Sequence, residues 1–265
     1  MKFSFCSLSS GSNGNCYYLG DKYKGILIDA GIPAGVIRKY LNHMGISMQA
    51  IMGVLVTHNH TDHIRGLELL TRKNNLPVFT TSNIWKSVVS RKLNFIGITV
   101  QKIGLQKKFH LAGLDIEAFP VSHDAPETIG FHICAGDKNI TIATDLGHIC
   151  ETSAPYIKAA NLLVIESNYD EKMLVNGNYP HFLKARIRSD RGHLGNHQTS
   201  AFLADMLDEN LNHICLAHLS NKNNTPEIAL HTLQQTFAAR GNKANGKPRI
   251  SILNRDTPSE VISLI

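Results

Sequence analysis

The chain has 265 residues, of which 43% are apolar and 18% charged, and 27 Lys and Arg against 21 Asp and Glu give a formal net charge of +6. That length suits one large α/β domain with a substantial core. No apolar run is long enough to span a bilayer, which excludes a helical membrane protein. The basic balance favours a polyanionic partner. Five cysteines, at 6, 16, 134, 150 and 215, are odd in number and form no CxxC pair, as free thiols in a reducing cytosol would. The start, Met1-Lys2-Phe3-Ser4-Phe5-Cys6-Ser7, runs into a Gly/Ser loop without the apolar core of a signal peptide. A cytoplasmic location is expected.

In chain order, the Gly-rich segment 9–16 fits a tight hairpin first of all, and as the alternative its backbone N–H groups could cradle a terminal phosphate. Ile26-Leu27-Ile28 reads as a strand ending at Asp29. Pro33 to Met44 is expected to be a helix, with Pro in its first turn and Gly45 just past its end. Gly53-Val54-Leu55-Val56-Thr57 is a strand, and a helix over Ile64 to Lys73 follows the loop after it. Ser82 is placed as the N-cap of a helix through Arg91. Strands are expected near 98–103, 108–112, 114–121, 128–134 and 139–144. A helix near 153–160 precedes the strand Leu162-Leu163-Val164-Ile165. Helices near 179–188, 197–210 and 226–239 and strands near 213–217, 249–253 and 260–264 complete the pattern. There is no sequence repeat, low-complexity tract or long linker. The fold class is therefore α/β, a single domain over 1–265 built as a four-layer αββα sandwich.

The chemistry concentrates in His58-Asn59-His60-Thr61-Asp62-His63. Where the chain leaves a strand, residues two apart share a side, so His58 and His60 can face one ion while Asp62 and His63 face a second. Imidazole with carboxylate suits Zn²⁺, Mn²⁺ or Fe. Three later strand-like runs end in metal-capable residues: 116–122 at His123, 140–144 at Asp145 and 214–217 at His218. Sites in open α/β sheets gather beyond the carboxyl ends of strands, where such ends converge.

This succession, HxHxDH then His, Asp and His, resembles the metallo-β-lactamase superfamily nearly from end to end. The resemblance implies that His58, His60 and His123 hold one metal, that Asp62, His63 and His218 hold the other, and that Asp145 bridges them. Asp29 matches the superfamily's early aspartate, which acts behind the ligands as an acceptor orienting the HxHxDH loop. An aspartate at the bridging position separates this chain from the β-lactamases proper. Glu166, after Leu162–Ile165, and His193, in Arg191-Gly192-His193-Leu194-Gly195-Asn196, resemble the Glu–His pair of ribonuclease Z and related nucleases. There the pair is associated with proton transfer at the leaving group.

Two distant segments narrow the resemblance: Leu8-Ser9-Ser10-Gly11-Ser12-Asn13-Gly14-Asn15-Cys16-Tyr17, and the run from Ser167-Asn168-Tyr169-Asp170 to Gly192-His193-Leu194. Both resemble the YycJ (WalJ) family of exonucleases, which implies 5′-to-3′ activity chiefly on DNA and a role in repair. Gly195 departs from the Ser expected in that family's HLSN version, leaving Asn196 and the backbone to meet a phosphate. Lys184, Arg186, Arg188 and Arg191 crowd the same segment. Lys184 and Arg188 would share a helix face and could line a phosphate groove, or form a solvated surface. About seventy residues separate Asp145 from His218, too few for the inserted domain of ribonuclease J-like enzymes. His123 to Asp145 is too short for the tRNA-clamping arm of ribonuclease Z.

The expected function is a dinuclear metal-dependent phosphodiesterase, a 5′-to-3′ DNA exonuclease using a metal-activated hydroxide. Asp62, Glu166 and His193 are the candidate catalytic groups; Lys184, Arg186, Arg188 and Asn196 are the candidate substrate contacts. A thioester or lactone hydrolase acting on a small molecule is the alternative enzyme, and a catalytically silent nucleic-acid-binding protein is the alternative of another class. Nothing in the chain specifies an oligomeric state.

Overall fold

Short runs rich in Ile, Val, Leu and Phe form the strands, and the turns between them place polar residues at both ends of two sheets. The computed structural model describes residues 3–91, 95–241 and 248–264; Met1 and Lys2, where the expected cytosolic start begins, lie outside them. The first sheet holds β1 (Phe3–Ser9), β2 (Cys16–Gly20), β3 (Gly25–Ile28), β4 (Ile51–Leu55), β5 (Val78–Thr80), β6 (Val100–Lys102) and β14 (Ile262–Leu264). Its order is β14-β1-β2-β3-β4-β5-β6. The second holds β7 (Lys108–Leu111), β8 (Leu114–Pro120), β9 (Ile129–Ala135), β10 (Lys138–Ala143), β11 (Leu162–Glu166), β12 (His213–Ala217) and β13 (Arg249–Ile252). Its order is β13-β12-β11-β10-β9-β8-β7. Each sheet has three antiparallel pairings followed by three parallel ones, β14 to β3 and then β3 to β6 in the first, β7 to β10 and then β10 to β13 in the second.

Side-chain alternation along the strands divides the core into layers. On β11, Leu162 and Val164 join the cluster between the sheets, while Leu163 and Ile165 join a second cluster on the outer face. On β12, Cys215 faces inward and Ile214 and Leu216 outward. The outer cluster is closed by Ile157 of α5 (Ala154–Lys158), Leu203 of α8 (Asn196–Met206) and Leu233 of α9 (Pro226–Ala239). On the other side, Ile37 and Leu41 of α1 (Ala34–His43), Leu67 and Leu70 of α3 (Leu67–Asn74) and Ile84 and Val88 of α4 (Ser82–Val89) pack on the first sheet. Helices thus cover two facing sheets, the αββα sandwich expected from the sequence.

Several boundaries differ from the expectation, each for a local reason. The helix expected over Ile64 to Lys73 is two helices, α2 (Thr61–Ile64) and α3. They part at Gly66, whose N–H donates to Ala30 O at 2.7 Å instead of continuing one ladder. Thr81, not Ser82, caps α4, its Oγ1 accepting the Ile84 N–H at 3.2 Å. α6 (Glu171–Asn176) was not anticipated; Asp170 starts it by accepting the Met173 N–H at 2.9 Å. α7 (His181–Arg188) and α8 are shorter than their sequence patterns, α8 stopping at Met206 where Leu207 turns extended. Segment 9–16 carries the end of β1 into β2 as an antiparallel hairpin.

Candidate metal centre

The site forms where β3, β4, β8, β10, β11 and β12 end. Three of these ends share an uncommon backbone: Asp29, Asp145 and His218 have φ of 58°, 56° and 56°. A side chain with a Cβ is strained in this left-handed region, and such strain persists where surrounding contacts hold it. Here each abrupt turn swings a polar side chain off its strand end and into the space between the sheets.

After β4, Thr57 leads into His58-Asn59-His60 and α2 carries Asp62 and His63. Asp29, fully buried, holds this loop at three points: Thr57 N–H and Oγ1–H donate to its two oxygens at 2.9 and 2.8 Å, and His63 Nδ1 lies 2.7 Å from Oδ2. The backbone docks too, Asn15 N–H donating to Asp62 O at 2.7 Å and Ala30 N–H to His63 O at 2.8 Å. The approach is close enough to require glycine at position 31, where a Cβ would fall 1.6 Å from Asp62 O.

The structure brings all seven expected ligands together. Their donor atoms fall into overlapping groups: His58, His60 and His123; Asp62, His63 and His218; His58, His63 and Asp145; and Asp145, Glu166, His193 and His218. His63 Nε2 is 3.2 Å from Asp145 Oδ2 and 3.6 Å from Asp62 Oδ2, and His218 Nε2 is 3.6 Å from Asp62 Oδ2. Two ligands of one ion at Zn–N and Zn–O distances stand about 3–3.5 Å apart, so these separations suit shared coordination. Four imidazoles have Nδ1 engaged behind the cluster: His58 by Thr57 Oγ1 at 3.0 Å, His63 by Asp29, His123 by Gly192 O at 2.9 Å and His218 by Glu166 Oε1 at 2.8 Å. Nε2 is thereby turned to the centre. Buried Nε2 of His58, His123 and His218 and buried Oδ2 of Asp145 have no hydrogen-bond partner. Four such atoms in one place would be costly in an apolar core, and a divalent cation satisfies them all. The donor set fits the group.

Electrostatics follow from burial and these neighbours. Burial pushes His58, His60 and His123 down, toward the neutral form that binds metal, with neighbouring imidazoles adding to the effect. Burial alone would do the same to His63 and His218, but Asp145 and the other carboxylates around them outweigh it and hold both well up. Burial opposes ionisation of Asp145, yet the imidazoles of His218 and His63 keep its carboxyl well below the usual range.

Glu166 ties the far side of the centre together. Its Oε1 lies 2.7 Å from His193 Nδ1 and 2.8 Å from His218 Nδ1, and its Oε2 accepts the Leu146 N–H at 2.9 Å. Burial would raise this carboxyl, but the imidazoles of His193 and His218 hold it down to about 2. Reciprocally, Glu166 raises His193 against the effect of burial. Position 192 must be glycine for the turn that delivers His193, since a Cβ would meet Ile187 O at 2.2 Å.

The expected substrate contacts fare differently. Asn196 is buried and exchanges amide hydrogen bonds with Asn224 at 3.0 and 2.8 Å while accepting from Ser167 Oγ at 2.7 Å. It braces the fold and presents no open face to a ligand. Lys184 and Arg188 do share a face of α7, but that face meets the α6 segment: Lys184 Nζ donates to Val175 O at 2.6 Å, and Arg188 pairs with Glu171 at 2.8 Å. Arg186 points the other way and pairs with Asp124.

Sequence reasoning missed two residues that the structure places at the centre. Asp124 Oδ1 is 3.3 Å from His123 Nε2 and 3.5 Å from His60 Nε2. Its position directly after His123 was a usable signal. Asn15 Nδ2 is 3.3 Å from Asp62 Oδ2 and 3.0 Å from His63 Nε2. It lies in the hairpin loop, where only backbone groups had been considered.

A sequence profile of the beta-lactamase superfamily domain matches residues 24–214. The chain is 36% identical over 245 residues to the exodeoxyribonuclease YycJ of Bacillus anthracis, covering 91% of each chain. The chain belongs to the metallo-β-lactamase superfamily, in the family of YycJ and WalJ. The exodeoxyribonuclease WalJ of Streptococcus pneumoniae is 32% identical over 242 residues, 89% of this chain and 88% of that one. Among solved structures, the metallo-β-lactamase-fold protein YhfI of Bacillus subtilis superposes with a TM-score of 0.74 over 100% of both chains at 14% identity, which speaks for the fold. This superfamily member is a metal-dependent hydrolase, and its His and Asp clusters suit metal binding. No helix among the described residues is long and apolar enough to cross a membrane.

Proposed function

We propose that the chain is a dinuclear metal-dependent phosphodiesterase that removes nucleotides from the 5′ end of DNA. One observation carries this reading beyond hydrolase: a buried carboxylate, Glu166, joins His193 to the ligand cluster through His218. Such a linkage sets a proton donor beside a bound phosphodiester, and the relatives named exodeoxyribonuclease act on DNA by name.

His58, His60 and His123 would hold one ion, Asp62, His63 and His218 the other, with Asp145 between them. A divalent pair bound there acidifies water and neutralises charge on phosphate oxygens. The chain's own groups do the rest. Asp29 and Thr57 fix the loop bearing four of the ligands. Glu166 accepts from His193 Nδ1, which leaves Nε2 to donate its proton to the departing 3′ oxygen, and the depressed Glu166 and raised His193 favour the charged pair this requires. Asp124 holds Arg186 beside the first group of ligands, a guanidinium within reach of a phosphate.

A 5′-phosphorylated strand labelled at its 3′ end tests the polarity. With Mn²⁺ or Zn²⁺, progressive shortening of the labelled strand is expected, abolished by EDTA. Immediate release of the labelled 3′ nucleotide would overturn the polarity, and internal cuts would overturn the exonuclease.

A further inference from the structure

α7 is an unusual helix in this fold, because it buries none of its side chains. Its sequence, His181-Phe182-Leu183-Lys184-Ala185-Arg186-Ile187-Arg188, carries three permanent cations and no carboxylate. Phe182 is 75% exposed. A single exposed apolar side chain needs no explanation. This one has a specific setting. Residues four apart lie on one helix face, so Phe182 shares its face with Arg186, opposite the face that Lys184 and Arg188 turn to the α6 segment. Arg186 is fixed at the metal centre through Asp124, whose other oxygen lies beside His123 and His60. Phe182 therefore stands one turn, about 6 Å along the axis, from Arg186 on the same face. The other end of α7 is fixed as well, Ile187 O accepting the His193 N–H at 2.9 Å. A helix with no carboxylate of its own, joined to the candidate centre through Arg186 and carrying an uncovered aromatic ring one turn away on that same face, matches the way single strands are held. Arg186 would meet a phosphate, and a base would stack on the Phe182 ring.

We infer that α7 is the platform for the single-stranded 5′ end of the substrate, with Phe182 stacking on the base next to the nucleotide being removed. The inference rests on the phosphodiesterase reading and deepens it. A DNA end must be unpaired at that base to engage the ring, so blunt duplex would be attacked through its frayed form. No bond is made or broken at Phe182; its contribution is to affinity.

The test compares wild type, Phe182→Ala and Phe182→Trp on a 5′-phosphorylated single-stranded oligonucleotide, intact or with an abasic site at the second nucleotide. Base stacking predicts that Phe182→Ala raises KM roughly 5- to 150-fold, acting on KM in preference to kcat, and that Trp restores it. The abasic site should raise KM for wild type and add nothing for Phe182→Ala. Equal KM for wild type and Phe182→Ala, or the same abasic penalty in both, overturns the inference. Anisotropy of the labelled oligonucleotide in EDTA, where hydrolysis is stopped, separates this from the parent proposal. Cleavage by wild type with affinity independent of Phe182 sinks the platform alone. No cleavage with metal, but affinity that falls in Phe182→Ala, sinks the nuclease alone.

Discussion

Each of four imidazoles at the centre is gripped behind by a hydroxyl, a carbonyl or a carboxylate, so that Nε2 is aimed before any ion arrives. The arrangement gives different residues different phenotypes. Asp145→Ala would remove the carboxylate proposed to lie between the two ions, and His60→Ala an imidazole of the first proposed group. Each is expected to abolish DNA hydrolysis, with metal content falling in parallel by mass spectrometry. His193→Ala should differ, keeping both ions while kcat drops about 10²- to 10⁴-fold. Metal loss in that variant would contradict its placement as proton donor. Away from the centre, the five cysteines separate by environment. Burial pushes Cys6, Cys16, Cys134 and Cys215 up, whereas hydrogen bonds from Ser153 and Thr152 overcome burial and lower Cys150. A lowered thiol pKa means more thiolate at a given pH, so iodoacetamide at pH 8 should modify Cys150 first and its rate should level off at lower pH than for an ordinary thiol. Modification of Cys215 ahead of Cys150, read by peptide mapping, would contradict this.

The elements explain how widely separated residues meet. Both sheets run through the same succession of three antiparallel and three parallel pairings, and in each the fourth strand, β3 or β10, ends in an aspartate with left-handed φ, Asp29 or Asp145. The fifth strand then delivers the HxHxDH loop in one sheet and Glu166 in the other. Much of this was legible in the sequence, because β-branched runs ending in His or Asp announce both strand and ligand. What was not legible depended on contacts between distant segments. Asp124 faces His60 only because β8 ends beside the loop after β4. Asn196 lies three residues after His193 in sequence, yet its amide is claimed by Asn224 of another turn. Lys184 and Arg188 could be placed on one face of α7 from spacing, but only packing against the α6 segment and Asp124 shows what each cation meets. Gly31 is a test at this scale. Its missing side chain lets the turn after β3 lie against Asp62 O, so Gly31→Ala should cost about 1–3 kcal/mol by chemical denaturation and weaken metal binding with it. An unchanged midpoint and unchanged metal affinity would show that this contact matters little.

For the molecule as a whole, one apolar cluster spans both sheets, from Phe5, Leu8 and Ile28 to Ile116, Ile140 and Val164. We propose on that ground that the chain folds as one unit, with a single cooperative transition and coincident fluorescence and circular dichroism midpoints; two separated transitions would contradict it. Ions bound where both sheets contribute ligands would hold the halves together. Adding metal at about a hundred times its dissociation constant should stabilise the protein by about 2.7 kcal/mol, and EDTA should reverse it. The basic balance of the chain, +6 overall, then adds attraction for a polyanion that salt should screen. The most direct measurement of the central claim follows nucleotide release from a 5′-phosphorylated DNA strand by metal-loaded wild type and Asp145→Ala side by side. Stepwise loss of 5′ nucleotides by wild type alone is the result expected. Intact DNA with two metals bound, or equal degradation by both proteins, would contradict the assignment.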